Sequence, residues 1–202
     1  MLLSEIVISG LSYHNLGPYN FRIAGGECVC VSGQSGAGKT LMLRALADID
    51  PHTGSVALNG RESLAFNAPA WRQRVALLPA ESQWWADTVG EHGIDASQGQ
   101  LSEVGFEPDV LEWQISRLST GERQRLAVVR LLARTPDVLL LDEPTANLDA
   151  QNAQRVETVL LSYGASRQAA LLWVSHSPEQ IRRIARRCLR FDGSRLLEEE
   201  VA

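Results

Sequence analysis

Gly33-Gln34-Ser35-Gly36-Ala37-Gly38-Lys39-Thr40 fits the pattern G-x-x-x-x-G-K-[ST] without a gap. Immediately before it runs Cys28-Val29-Cys30-Val31, a short apolar and β-prone stretch. Immediately after it comes Leu41-Met42-Leu43-Arg44-Ala45-Leu46, built of strong helix formers. Strand, glycine loop and helix in that order are the context a phosphate-binding loop requires. Glycines let the backbone wrap an anion closely, and successive N–H groups then point into one concavity. The helix N-terminus adds its positive dipole end. In such a loop Lys39 reaches the β- and γ-phosphates, and the Thr40 hydroxyl ligates Mg²⁺. A glycine-rich turn that binds nothing has no need of this setting. The stretch predicts nucleotide binding.

Outward from the loop, the opening third reads as β-rich. Ile6-Val7-Ile8, Phe21-Arg22-Ile23 and Ser55-Val56-Ala57-Leu58 are short apolar or alternating runs, punctuated by Gly17-Pro18, Gly25-Gly26 and the tight-turn pair Asn59-Gly60. Beyond the loop, strands alternate with helices. Val75 to Leu78, Val138 to Leu141 and Ala170 to Val174 look like fully buried strands of a parallel sheet. Ser119 to Arg134 and Asp149 to Tyr163 read as helices, the first opened by the capping box Ser119-x-x-Glu122. Ser177-Pro178-Glu179-Gln180 opens another, with proline at the first helical position. Glu198-Glu199-Glu200 reads most simply as a solvated tail.

At 202 residues the chain has room for one sizeable core, and no linker or repeat divides it. A single domain over 1–202 is expected. The formal net charge of −5 speaks against nucleic acid bound over a broad face, so no nucleic-acid partner is expected. Three cysteines, Cys28, Cys30 and Cys188, show no metal-ligand spacing and read as buried thiols of a reducing cytosol. Met1 to Glu5 lacks the pattern of a signal peptide, and no apolar run approaches the ~20 residues of a membrane-spanning helix. Service to a membrane would have to go through a partner.

Val138-Leu139-Leu140-Leu141-Asp142-Glu143 is an apolar strand ending in two carboxylates. In phosphate-loop NTPases the first such Asp holds Mg²⁺. The adjacent Glu143 has the chemistry to polarise an attacking water. A strand capped by a solvated acidic turn would look the same, so the pair needs company. It has it in Leu118-Ser119-Thr120-Gly121-Glu122-Arg123-Gln124-Arg125, which closely resembles the signature motif of ABC ATPases. The resemblance runs from about Tyr13 to His176.

That resemblance implies an α/β fold: a phosphate-loop NTPase core with a parallel sheet flanked by helices, an N-terminal antiparallel β-subdomain and a short helical subdomain at about 84–117. It implies ATP and Mg²⁺ as cofactors, and a homodimer in which Ser119 and Gly121 of one subunit close over ATP held by the loop of the other. Asn147-Leu148-Asp149 resembles the D-loop at that interface, which makes Asp149 a site residue. His176, in Trp173-Val174-Ser175-His176, resembles the switch histidine that contacts the γ-phosphate. Tyr13 stands at the distance of the aromatic that stacks on adenine, or is an ordinary β-surface aromatic.

The chain departs from the family in three places. Thr120 stands where glycine is usual. Ala80, in Leu78-Pro79-Ala80-Glu81-Ser82-Gln83, stands where a glutamine normally touches Mg²⁺, with Glu81 or Gln83 as substitutes if the loop shifts. The segment from Trp84 to Arg117 is unusually short. Trp84-Trp85 resembles the region that meets the membrane subunit, or serves the core; His92 beside it shows no partner pattern and reads as incidental. The resemblance implies the ATP-hydrolysing subunit of an ABC transporter, at the inner face of the cell membrane through separate permease chains. The stretches around Arg72 to Val75 and Leu172 to His176 lean towards small cassettes of metal, or iron, efflux. The rival readings are a non-transport ABC ATPase acting on ribosome or DNA, and a regulatory nucleotide-binding module.

Overall fold

The computed structural model describes residues 4–94 and 100–201. Strands β1 (Ile6–Tyr13) and β2 (Leu16–Ile23) pair as an antiparallel hairpin, while β3 (Cys28–Ser32) enters a different sheet. Helix α1 (Lys39–Leu46) follows the phosphate loop directly. The chain then returns to β1 through β4 (Thr53–Leu58), and Asn59-Gly60, both left-handed, turn it into β5 (Arg61–Glu62). These strands form a four-stranded sheet ordered β2-β1-β4-β5.

The second half supplies α2 (Ala68–Arg74), β6 (Val75–Leu78), the short α3 (Gln100–Glu103), α4 (Thr120–Leu132) and β7 (Val138–Asp142). It continues through α5 (Ala150–Arg167), β8 (Ala170–Val174), α6 (Pro178–Ile184), β9 (Arg187–Asp192) and β10 (Arg195–Glu200). The second sheet is ordered β10-β9-β3-β8-β7-β6, with every neighbouring pair parallel except β9 and β10. All residues of β7 and β8 are buried, as strands covered on both faces must be. Side-chain alternation divides them between two cores. Val138 and Leu140 pack with the small sheet and α1, whereas Leu139 and Leu141 pack with α4 and α5. Cys28 and Cys30 face the second of these cores.

Four expectations change. Gly17-Pro18 lies inside β2 rather than at a break. Helix α5 runs on to Arg167, because its buried stripe continues through Val156, Val159, Leu160 and Tyr163, and ends where Gln168 turns left-handed. The segment 84–117 is sparsely helical: its described residues hold α3 and three short 3₁₀ helices, with Gly90, Gly93, Gly105 and Pro108 interrupting longer helix. The acidic end is no free tail. It is β10, whose Glu198 and Glu199 face Arg187 and Arg190 of β9. No helix among the described residues is long and apolar enough to cross a membrane.

Arg187 ties this carboxyl-terminal hairpin to the rest. It donates to Glu198, to Glu27 just before β3 (2.7 Å), and to the carbonyl of Arg22 on β2 (2.7 Å). Arg187→Ala is expected to cost about 1–3 kcal/mol of stability in urea unfolding, because it strips charge-assisted bonds from three segments at once. Glu198→Ala, which removes one exposed partner, should cost under about 1 kcal/mol.

Candidate active site

Strands β3, β8 and β7 are neighbours and parallel, so their carboxyl ends open on one edge of the sheet. Val31 stands level with Val174, and Val174 with Asp142. The phosphate loop begins two residues beyond Val31, His176 lies two beyond Val174, and Glu143 follows Asp142. Three distant segments therefore meet in one row.

The loop is pinched from both sides. A Cβ on Gly33 (φ 140) would stand 2.8 Å from Phe191 Cβ, and one on Gly38 (φ 98) 2.4 Å from Leu16 Cδ1. Neither position admits another residue without rebuilding its surroundings. Gln34, Ser35 and Gly36 remain exposed between these two contacts, Ala37 half-buried beside them. Lys39 is buried, and its Nζ donates to the carbonyls of Gly33 (3.0 Å) and Gln34 (2.9 Å). Burial pulls its ammonium below the usual range, and facing Glu143 and Asp142 oppose that shift.

Thr40 Oγ1 donates to Asp142 Oδ2 at 2.8 Å, which joins α1 to the end of β7. Burial raises the Asp142 carboxyl above its ordinary range, with Glu143 adding and Thr40 and Lys39 opposing. Two hard oxygen donors side by side fit Mg²⁺ rather than a softer metal. Among the described residues no cluster of three His, Cys, Asp or Glu could hold an ion alone, so phosphate oxygens and water would supply the remaining ligands. Held by Thr40 and Asp142, the ion would neutralise charge on those oxygens.

Glu143 adopts φ 49, a left-handed conformation uncommon for a residue with a side chain. Its Oε1 lies 3.0 Å from His176 Nε2, both side chains partly open to solvent. A carboxylate bonded to an imidazole N–H and reachable by water is equipped to polarise that water.

Tyr13 requires a correction. It is 3% exposed, its ring packs against Tyr19 (5.9 Å), and its hydroxyl donates to the Gly38 carbonyl (3.3 Å). Burial pushes the phenol up. It neither offers a face to adenine nor lies on the surface. The cause is a register shift between Ile8 and Leu11: Ile6 and Ile8 face the core at even positions, and Leu11 and Tyr13 then face it at odd ones.

Ser119 caps α4 in the expected capping box, with Glu122 N–H donating to Ser119 Oγ (3.2 Å) and Ser119 N–H to Glu122 Oε2 (2.8 Å). Ser119 and Thr120 are exposed, and Gly121 backs onto Asn147 and Leu148. Signature and D-loop thus adjoin, but the signature and the phosphate loop line different cavities. Asp149 caps α5 by accepting from the Asn152 N–H (2.9 Å). Ala80, Glu81 and Gln83 line one cavity with Thr120 and Gln124. His92 is far from incidental: it is buried, its Nε2 accepts from the N–H groups of Trp85 (3.0 Å) and Ala86 (3.1 Å), and Nδ1 donates to the Thr88 carbonyl (2.9 Å). Thr145, Glu157, Gln180 and Arg183 share a cavity with Glu143 and His176, and none stands out in the sequence. The available signal was Glu157, a charge amid the buried stripe of α5.

If Thr40 and Asp142 hold the ion, Mg²⁺ raises nucleotide affinity through them. Asp142→Asn is then expected to lose at least about tenfold of that increment, since even outer-shell changes cost as much. Affinity in excess chelator should stay within about twofold. Calorimetric titration with and without Mg²⁺ measures both.

A family model described as ABC transporter matches residues 16–146. The chain is 34% identical, over 98% of its length and 81% of the relative's, to the aliphatic sulfonates import ATP-binding protein SsuB 2 of Frankia alni. It is 30% identical, over 80% of its length and 78% of the relative's, to the probable iron export ATP-binding protein FetA of Escherichia coli. A bacterial Atm1-family ABC exporter solved with ATP bound shares the fold over 97% of the chain, with a TM-score of 0.83 at 22% identity. The chain spans only 38% of that exporter's length. Motifs, fold and relatives agree: the chain belongs to the ABC transporter family, as an ATP-binding and ATP-hydrolysing protein of the phosphate-loop fold.

Proposed function

We propose that two copies of this chain sandwich two ATP molecules and power a transporter whose membrane-spanning subunits are separate chains at the inner face of the cell membrane. The observation that carries this reading is the signature. Ser119 and Thr120 are exposed at the N-terminus of α4, apart from the phosphate loop of their own chain. The Ser119 hydroxyl donates to Glu122 Oε2 (2.7 Å) inside the capping box, so an incoming phosphate would have to draw it away from that carboxylate, with the positive end of the helix adding its attraction. A second copy would present Ser119 and Thr120 to the γ-phosphate held by Gly33 to Thr40. Thr120 keeps the backbone N–H that glycine would supply, so its side chain alters closure without removing a donor.

Within the closed pair, Glu143 acts as general base on water and His176 contacts the γ-phosphate. Hydrolysis reopens the dimer. The movement reaches the permease through the loop after β6, where Trp85 is 74% exposed. Arg130 stacks on Trp84 (4.3 Å) and Trp85 (5.0 Å), and the nearby groove is lined by Leu77, Leu78, Trp85, Arg130 and Leu131. For the cargo we favour metal efflux, on the short stretches noted in the sequence and on the similarity to the probable iron export protein FetA. The similarity to SsuB 2 speaks for sulfonate import instead.

Glu143→Gln tests the reading. ATP turnover is expected to fall by about 100-fold or more, and an ATP-dependent dimer to accumulate in light scattering. Unchanged turnover overturns the assignment of the base. The trapped variant should also retain a multi-span membrane protein in a detergent pull-down; ribosomal or repair proteins in its place would overturn the transport reading.

A further inference from the structure

In the cavity that His176 and Glu143 line lies a polar cluster around the buried Glu157, which the hydrolysis reading leaves without a role. Glu157 on α5 is 3% exposed, in a stripe otherwise given to Val156, Val159, Leu160 and Tyr163. Buried charges are rare and costly unless paired. Arg183 of α6 pairs with it through two bonds, Nε to Oε2 (2.8 Å) and Nη2 to Oε1 (2.7 Å). Burial pushes the Glu157 carboxyl up, but Arg183 and Gln180 more than reverse this and hold it below the usual carboxylate range. The Arg183 side chain is 54% exposed, so its attraction is weakened by solvent while Glu157 still bears the cost of leaving water. Stability alone therefore gives a weak reason for the charge.

The better reason is what Glu157 holds. The Gln180 amide donates through Nε2 to Glu157 Oε1 (2.7 Å) and to Thr145 Oγ1 (2.8 Å), while its Oε1 accepts from Ser175 Oγ (2.6 Å). An ionised carboxylate only accepts, so Glu157 selects which end of the amide faces it. The opposite end is then aimed at Ser175, whose Oγ also accepts from the Ser177 N–H (3.1 Å). Thr145 lies two residues past Glu143; Ser175 and Ser177 flank His176. One amide thus spans the two loops that carry the facing side chains, at a length set by its own covalent geometry.

We infer that Gln180, oriented by the Glu157–Arg183 pair, is a positioning residue that sets the alignment of His176 against Glu143 for hydrolysis. This rests on the assignment of those two residues above. A shift of about 1 Å in such an alignment can cost on the order of 100-fold in rate, whereas phosphate binding by Gly33 to Thr40 does not pass through this cluster.

The test is a mutant cycle on ATP hydrolysis by the full chain. Gln180→Ala is expected to lower kcat about tenfold and leave KM for ATP within about twofold. In a His176→Ala background the same change should cost under about twofold, because nothing is left to align. Glu157→Gln, which keeps volume and an acceptor for Arg183 but loses the charge that orients the amide, should show the same split with a smaller loss. It also serves if Gln180→Ala melts early. An unchanged kcat in both Gln180→Ala and Glu157→Gln overturns the inference. So does an equal tenfold loss in both backgrounds, or a raised KM with kcat intact, since each assigns the cluster to packing. If His176→Ala alone leaves turnover untouched, the hydrolytic assignment itself fails and the inference falls with it.

Discussion

The parallel register of β3, β8 and β7 is the constraint on which the rest depends. Because Val31, Val174 and Asp142 stand in one row, residues separated by more than a hundred positions arrive at the same edge. Parallel strands require crossovers, and the crossovers here are helices that cover both faces of the sheet. That coverage explains why β7 and β8 are apolar at every position except Asp142, which faces the edge and bonds Thr40. The Asp142 carboxylate thus reaches the edge because the buried strand stops there.

The small antiparallel sheet has a supporting task. Leu16 and Tyr13 of its first hairpin press on Gly38 from one side, and Phe191 of β9 presses on Gly33 from the other. Both glycines take backbone conformations open to few other residues, and the flanking side chains occupy the space a Cβ would need. Loop shape is therefore set jointly by glycine backbone freedom and by two remote elements. Gln34, Ser35 and Gly36 stay exposed between the two pinch points.

The described surface has open ends where the proposed partners would meet it. The start of α4 presents Ser119 and Thr120 to solvent, and the loop after β6 holds Trp85 outward on a frame made by His92 and Arg130. The frame is well bonded even though the tryptophan is exposed: His92 accepts two backbone N–H groups and returns one bond to Thr88. Rigid support beneath an exposed aromatic suits an interface better than a mobile loop would.

Much of this was legible in the sequence. The phosphate loop, the acidic strand end, the capping box, the buried strands and the order of the motifs follow from residue type and spacing along the chain, because glycine geometry, helix capping and strand burial are local matters. Tyr13 was not legible, since a register shift in β1 moved the inward face from even to odd positions, and register is set by the partner strand. Nor was the acidic end, whose glutamates are held by arginines on β9. His92, Gln180 and Glu157 escaped for the same reason: each draws its meaning from groups brought near by folding. The sequence by itself determined the family, the fold class and the phosphate-binding chemistry. The tertiary structure alone decided which polar groups are buried, which of them face one another, and which aromatic lies under the loop instead of over the nucleotide, because non-local packing sets strand phase and hydrogen-bond partners.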